Sequence, residues 1–347
     1  MNHDVINDRY GRLYELPREL STYCQVRCVA VDYRFEPNCI TVSNADSVWQ
    51  RLSAPRSILF GWLLQLLISL RSFKAEAIVA SSDCLQVVVG YYMARLFKLR
   101  FFADLYDDYS TFGLARIPLM KYFYNRALRG ADGFITVSNT LAEKLAPIAG
   151  GKPCLVLEST IGAGAFFPVD KLAARAMLRL PNNKLLVGVC GGLNSGHGIE
   201  TIYAAVQQLV SEAPDLMFVI AGKPSAEVPI PNFDNIIPIG TLNHSLMNHF
   251  YNAVDVCVIQ LPNTEFGYYA FPQKAYEIIS ARCPAVYANV GALGRLFEPL
   301  PEAGYNPDSV LSLVNAIKYQ SQNREVLDVR VPTWQEQAEK LGQFILN

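Results

Sequence analysis

Phe271-Pro272-Gln273-Lys274-Ala275-Tyr276-Glu277, running on through Ile278-Ile279-Ser280-Ala281-Arg282-Cys283-Pro284-Ala285-Val286, decides how this chain is read. The stretch reads as a loop, a proline at the first helical turn, a short helix, and a strand resuming at Pro284. Proline is tolerated there because the first turn has no internal partner for its missing N–H. The free N–H groups of that turn favour an anion, and Lys274 adds a full positive charge beside them. Lys274 and Glu277 are three apart and share one helix face. A cation and a carboxylate on one face, beside an anion site, suit a nucleotide diphosphate and its ribose hydroxyls. The same spacing also fits an exposed ion pair on a surface helix.

At 347 residues the chain is long enough for two domains, each with its own core. It is 51% hydrophobic and 18% charged, yet no stretch reaches the roughly 18 uncharged apolar residues of a membrane span. Ile58–Leu70 comes nearest, and is either a core helix, the default, or a shallow membrane-binding surface. Met1–Tyr10 is polar and shows no secretory signal. The eight cysteines include no Cys-x-x-Cys pair and read as small buried hydrophobes in a reducing, cytoplasmic setting. With the four histidines scattered, neither a metal nor any other cofactor is expected. Residues 1–160 carry a net charge of +3 and residues 161–347 a net charge of −4. The basic front half allows a peripheral contact with anionic lipid at the inner face of a membrane, although solvated surface charge explains it as well. No nucleic-acid partner is expected.

Apolar, β-rich runs alternate with helical patterns, the signature of parallel sheets with helices on both faces. Strands are expected at Val26–Val31, Ala77–Ala80, Leu99–Ala103, Gly133–Val137 and Pro153–Leu157 in the first half. In the second they fall at Leu185–Cys190, Met217–Ala221, Ile236–Ile239, Val256–Ile259 and Ala285–Ala288. A seam at Glu158–Asp170, with Gly162, Gly164 and Pro168, separates the halves. The domains are therefore 1–160 and 169–331, with a closing helix over 332–347.

In open α/β sheets ligands bind beyond the carboxyl ends of the strands, and three such loops in the second half carry suitable residues. Cys190-Gly191-Gly192-Leu193-Asn194-Ser195-Gly196-His197-Gly198 lets the backbone approach a phosphate closely at a helix start. Ala221-Gly222-Lys223 and Gly240-Thr241-Leu242 form a second pair of turns. Pro262–Ala270, with Glu265, Phe266 and Gly267, reads as a loop leading into Pro272. In the first half, Asp104, Asp107 and Asp108 follow a strand, where they bind hydroxyls or cap the next segment. Ser138 or Thr140 caps the following helix, with Thr140 and Glu143 spaced as a capping box.

Together these motifs resemble retaining glycosyltransferases of the GT-B fold, the group that includes glycogen-synthase-like and mannosyltransferase-like enzymes. The likeness runs from Gly11 to about Leu341 and is strongest over 131–141, 185–200 and 271–286. It implies two Rossmann-like domains facing across a cleft: an N-terminal acceptor domain, onto which the closing helix packs, and a C-terminal nucleotide-sugar domain. It implies transfer of a hexose from a nucleotide-diphosphate sugar to a hydroxyl of a glycan or lipid-linked acceptor, retaining and metal-independent, in polysaccharide or glycoconjugate synthesis. Lys274 and His197 would stabilise the departing diphosphate, and Asp107 and Asp108 would place the acceptor. Gly191, Gly192, Gly198, Gly222, Lys223, Thr241, Leu242, Glu265, Phe266, Gly267 and Glu277 would hold the donor. Three departures stand out. His197 replaces a permanently charged residue, Tyr269 stands where the common form has a second acid, and the first strand is short or missing, using at most Val5-Ile6. They keep open a catalytically degenerate partner subunit, alongside an epimerase or phosphorylase of the same fold.

Overall fold

The computed structural model describes residues 5, 9–31, 49–52 and 61–347. They form two compact units, residues 1–159 with 333–347 and residues 160–332.

In the first unit a helix, α1 (Arg12–Leu20), precedes strands β1 (Cys28–Val31) and β2 (Trp49–Leu52), which pair in parallel. Then follow α2 (Gly61–Phe73), β3 (Ala77–Ala80), α3 (Cys84–Phe97), β4 (Arg100–Leu105), α4 (Pro118–Gly130), β5 (Gly133–Thr136), α5 (Asn139–Ala149) and β6 (Cys154–Val156). Strands β3 to β6 make a parallel sheet in sequence order, separate from the β1–β2 pair. Among the described residues no strand precedes α1: Val5 is helical, and Ile6 lies outside them.

The second unit contains α6 (Lys171–Leu178), β7 (Leu185–Cys190), α7 (Ile199–Glu212), β8 (Leu216–Ala221), β9 (Ile236–Gly240), α8 (Met247–Ala253) and β10 (Val256–Ile259). It continues with α9 (Glu265–Tyr269), α10 (Lys274–Ser280), β11 (Ala285–Ala288), α11 (Gly291–Leu296), β12 (Gly304–Tyr305) and α12 (Val310–Asn323). Its six strands form one parallel sheet in the order β12-β11-β10-β7-β8-β9. The chain moves outward from β7 through β8 to β9, then restarts on the other side with β10. The switch point therefore lies at the carboxyl ends of β7 and β10, where open α/β sheets bind ligands.

Expected segments past the seam fold differently in detail. Residues 160–170 are built into the second unit, with Ile161 and Phe166 buried and the Phe167 and Val169 N–H groups donating to Asn248 and Asn252. The closing helix, α13 (Trp334–Leu346), returns to the first unit. Its Trp334, Ala338, Leu341 and Ile345 pack with Leu16 and Leu20 of α1 and with Phe102, Ile135 and Leu157. Thr333 and Glu336 form the capping box at its start. At α5 the cap is Ser138, which accepts from the Leu141 N–H at 3.1 Å; the Thr140–Glu143 box is not the device used.

Two further expectations are corrected. Pro262–Ala270 is no open loop, because Thr264 caps the one-turn helix α9 inside it. The α2 part of the apolar run is no core helix. Ser69 is its one fully buried residue, while Leu64 and Ile68 are exposed; residues 58–60 lie outside the described set.

Candidate functional site

At the switch point of the second unit, Lys274 opens α10 and reaches back under the loop after β7. Its ammonium donates to the Cys190 carbonyl at 2.9 Å and to Gln260 Oε1 at 2.8 Å. Gln260, just past β10, also donates to Cys190 O at 3.3 Å, so one lysine ties together the ends of the two strands where the sheet order reverses. An ammonium carries three N–H donors; two are used here, and among the described residues nothing accepts the third. A Cβ at Gly191 would stand 3.5 Å from that nitrogen, and Gly191 holds φ at +107°, a conformation that suits glycine. The lysine charge therefore lies beside the glycine turn.

His197 lies against the same loop. Its Nδ1 is 2.9 Å from Asn194 Oδ1, and a Cβ at Gly192 would run into the ring at 2.8 Å. Burial, and then the Lys274 charge, lowers the His197 pKa, so the imidazole is neutral at pH 7. The ring meets Phe266 of α9 edge-on, with centroids 6.0 Å apart. Gly267 is buried where a Cβ would fall 2.0 Å from the Pro262 carbonyl oxygen, which seats α9 tightly against its own lead-in. Gly198 begins α7 with φ +72° beside Pro262.

The turns after β8 and β9 are joined to the same edge. Gly191 N–H donates to Ala221 O at 3.1 Å, and Gly222 N–H to Gly240 O at 2.8 Å. A Cβ at Gly222 would approach Gly191 O to 2.5 Å. Lys223 and Thr241 are exposed on these turns, and Leu242 is half-buried. Glu265 is exposed in the first turn of α9.

Glu277 does not pair with Lys274, and the surface ion-pair reading falls away. Its carboxylate is buried and accepts from the Tyr251 hydroxyl at 2.7 Å and from Gln273 Nε2 at 3.0 Å, with His244 Nε2 at 3.4 Å. Sequence reasoning missed Gln260, Tyr251, His244 and Gln273. Only Gln273 was findable, lying four residues before Glu277 on the same helical stretch.

In the first unit the acids after β4 divide by role. Asp104 is locked in a buried ion pair with Arg12 at 2.7 Å and accepts from Ser81 Oγ at 2.9 Å. Asp108 caps the next turn through Ser110 N–H at 3.1 Å and pairs with Lys144 at 2.6 Å, so both its oxygens are engaged in holding the loop. Asp107 is buried, and among the described residues nothing donates to its carboxyl. Burial, reinforced by the Asp108 charge and opposed by Arg12, pushes its pKa up to about 7.

No family model matches the chain, and no curated protein matches it in sequence. Solved structures do match its fold. Sucrose-phosphate synthase from Thermosynechococcus elongatus is similar at 20% identity over 96% of this chain and 87% of its own, with a TM-score of 0.70. Anabaena HepE, in complex with UDP and glucose, is similar at 16% identity over 95% of this chain and 91% of its own, with a TM-score of 0.66. A trehalose-6-phosphate synthase, studied for glycosyl transfer with retention, matches at 8% identity over 96% of this chain and 92% of its own, with a TM-score of 0.64. What these proteins share with the chain is architecture end to end, and the chain accordingly has the GT-B fold of these glycosyltransferases.

Proposed function

We propose that this protein is a hexosyltransferase that takes its sugar from a nucleotide-diphosphate donor and delivers it to a hydroxyl of a glycan or lipid-linked acceptor. The observation that carries the reading is the Lys274 ammonium, held by Cys190 O and Gln260 at the topological switch point with one N–H that no described residue accepts. A departing diphosphate seated on Gly191 and Gly192 would take that third donor. Charge placed in advance where charge develops is the largest single contribution in most enzymes. His197 adds a second cation once a phosphate raises its pKa, and these residues are read as serving in place of a metal. Glu277, held by Tyr251 and Gln273, would accept from the ribose hydroxyls. HepE in complex with UDP and glucose supports a UDP-type donor, and the synthase studied for transfer with retention supports a retaining course. Asp107 would receive or orient the acceptor hydroxyl in the first unit. A cytoplasmic enzyme working peripherally at a membrane's inner face fits a lipid-linked acceptor.

The test is a thermal-shift panel with UDP, GDP, ADP and dTDP, each with and without magnesium, run on the wild type and on Lys274→Ala. One nucleotide should stabilise the wild type without metal, and Lys274→Ala should cut turnover by about a hundredfold or more. Turnover within about twofold of wild type would remove Lys274 from the chemistry. Tyr269 and the neutral His197 favour a second reading, the degenerate partner subunit, which predicts no shift with any nucleotide.

A further inference from the structure

The outer surface of α3 and α4 carries exposed cations, exposed large apolar side chains and no acid. Between Cys84 and Gly130 the only carboxylates are Asp104, Asp107 and Asp108, and all three are buried. Over the same span Arg95, Lys98, Arg116, Lys121, Arg126 and Arg129 are exposed, and among the described residues none of the six meets a carboxylate. Interleaved with them, Leu96 is 64%, Leu119 65% and Tyr122 59% exposed, and Ile117 stands out beside Leu119. Along α4 the residues Leu119, Tyr122, Arg126 and Arg129 fall on one stripe, apolar at its start and basic at its end. Tyr122 is an aromatic with a polar tip, the type that sits at a lipid–water boundary. Long cationic stems beside it lie along apolar surface while their heads reach phosphates.

We propose that this α3–α4 face docks on an anionic lipid bilayer. Charge complementarity selects that occupant: six exposed cations that meet no carboxylate among the described residues suit a dense anionic partner, and the exposed leucines need an apolar layer directly beneath it. A free polyanion would satisfy the first demand only. The stripe begins at Leu119, twelve residues after Asp107, and belongs to the same unit as that proposed acceptor residue. The inference extends the transferase reading, but vesicle binding requires no sugar transfer, so each can fail alone.

Co-sedimentation of the full chain tests it, using phosphatidylcholine vesicles with and without about 30% phosphatidylglycerol. The protein should bind the anionic vesicles, and raising salt from about 0.05 M to about 0.5 M should release it. Lys121→Glu combined with Arg126→Glu and Arg129→Glu should weaken binding by about tenfold or more. Leu119→Ser with Tyr122→Ser should weaken it at the lower salt concentration, although the variant keeps every cation. All these positions are exposed, so melting temperature and nucleotide shift should stay at wild-type values. Equal binding to neutral vesicles, binding untouched by either variant, or no binding at all would overturn the proposal. So would a wild-type dimer in light scattering that the variants dissociate, since a second copy would then cover the face.

Discussion

Among single residues, His197 gives the sharpest test of the donor site, because its charge is conditional. Burial and the nearby Lys274 keep the imidazole neutral. A diphosphate seated on Gly192 would reverse the balance and raise the pKa, so binding takes up a proton. Affinity for UDP should therefore rise as pH falls, by roughly three- to tenfold between about pH 8 and about pH 6. Calorimetric titration of wild type and His197→Asn checks this: the nucleotide's own protonation remains in the variant, and the difference between the two curves belongs to His197. Asp107 offers the opposite case, a carboxyl whose folded pKa is raised to about 7 by burial and by Asp108. The folded state then binds this proton more tightly than the unfolded state, so stability is highest at low pH and is lost as pH rises toward 7. Asp107→Asn should raise the melting temperature at about pH 8 by at least about 3 °C, roughly 1 kcal/mol for a unit of this size, and change it least at about pH 3, below the carboxyl's unfolded pKa. Lys274, Gly191 and Gly198 were legible in the chain because each belongs to a local pattern of loop, turn and helix start. Gln260 and Tyr251 were not. Their roles arise from contacts across separations of 14 and 26 residues, which only the closed sheet creates.

Elements show where local pattern suffices and where packing decides. The long strands β7 and β8 were readable as continuous apolar runs, since a parallel strand is covered on both faces. Strand β2 was not, because Trp-Gln-Arg-Leu is short and polar at its centre; it is a strand because it pairs with β1. Helix α9 escaped for a different reason: Gly267 and two tyrosines have poor helix propensity, and the turn forms because Thr264 caps it and Gly267 fits beneath Pro262. Helix α6 depends on one buried knot. Arg175 pairs with Asp255 at 2.6 Å and donates to the carbonyls of Ala253, Pro181, Asn182 and Lys184. Burial alone would raise the Asp255 pKa, but Lys171, the Leu186 N–H and Arg175 outweigh it and hold it below the usual carboxylate range. That stability is present above the unfolded-state value and is lost as pH falls through the lower folded one. Arg175→Met leaves four carbonyls without this donor and a buried carboxylate short of its guanidinium. The expected cost is about 3–5 kcal/mol, read as a depressed denaturant midpoint at neutral pH. A variant as stable as wild type would show that Lys171 and Arg324 suffice to neutralise Asp255.

The whole molecule is organised by a chain that leaves its first unit, builds the second, and returns. That return was legible only through resemblance: Thr333-Trp334 onward is similar to the closing helix of GT-B glycosyltransferases. The separation of β1–β2 from β3–β6 was less so, since strand pairing is a matter of neighbours that the sequence of one strand does not name. The return has a consequence for stability. Trp334, Leu341 and Ile345 are buried in the first unit's core, each worth roughly 2 kcal/mol, against a typical domain stability of roughly 5–15 kcal/mol. Every proposed donor residue, from Gly191 to Glu277, lies instead within residues 160–332. Ending the chain after Pro332 should therefore strip the first unit of a large part of its stability while leaving the nucleotide site intact. Scanning calorimetry with and without UDP separates the two. In the full chain, UDP at about 100 times its Kd should stabilise the second unit by roughly 2.7 kcal/mol. In the truncated chain the transition of the first unit should fall or vanish, and the UDP-dependent shift of the second should persist at the same size. If that shift disappears together with the helix, nucleotide binding depends on the first unit, and the donor residues identified between Gly191 and Glu277 do not make a complete site.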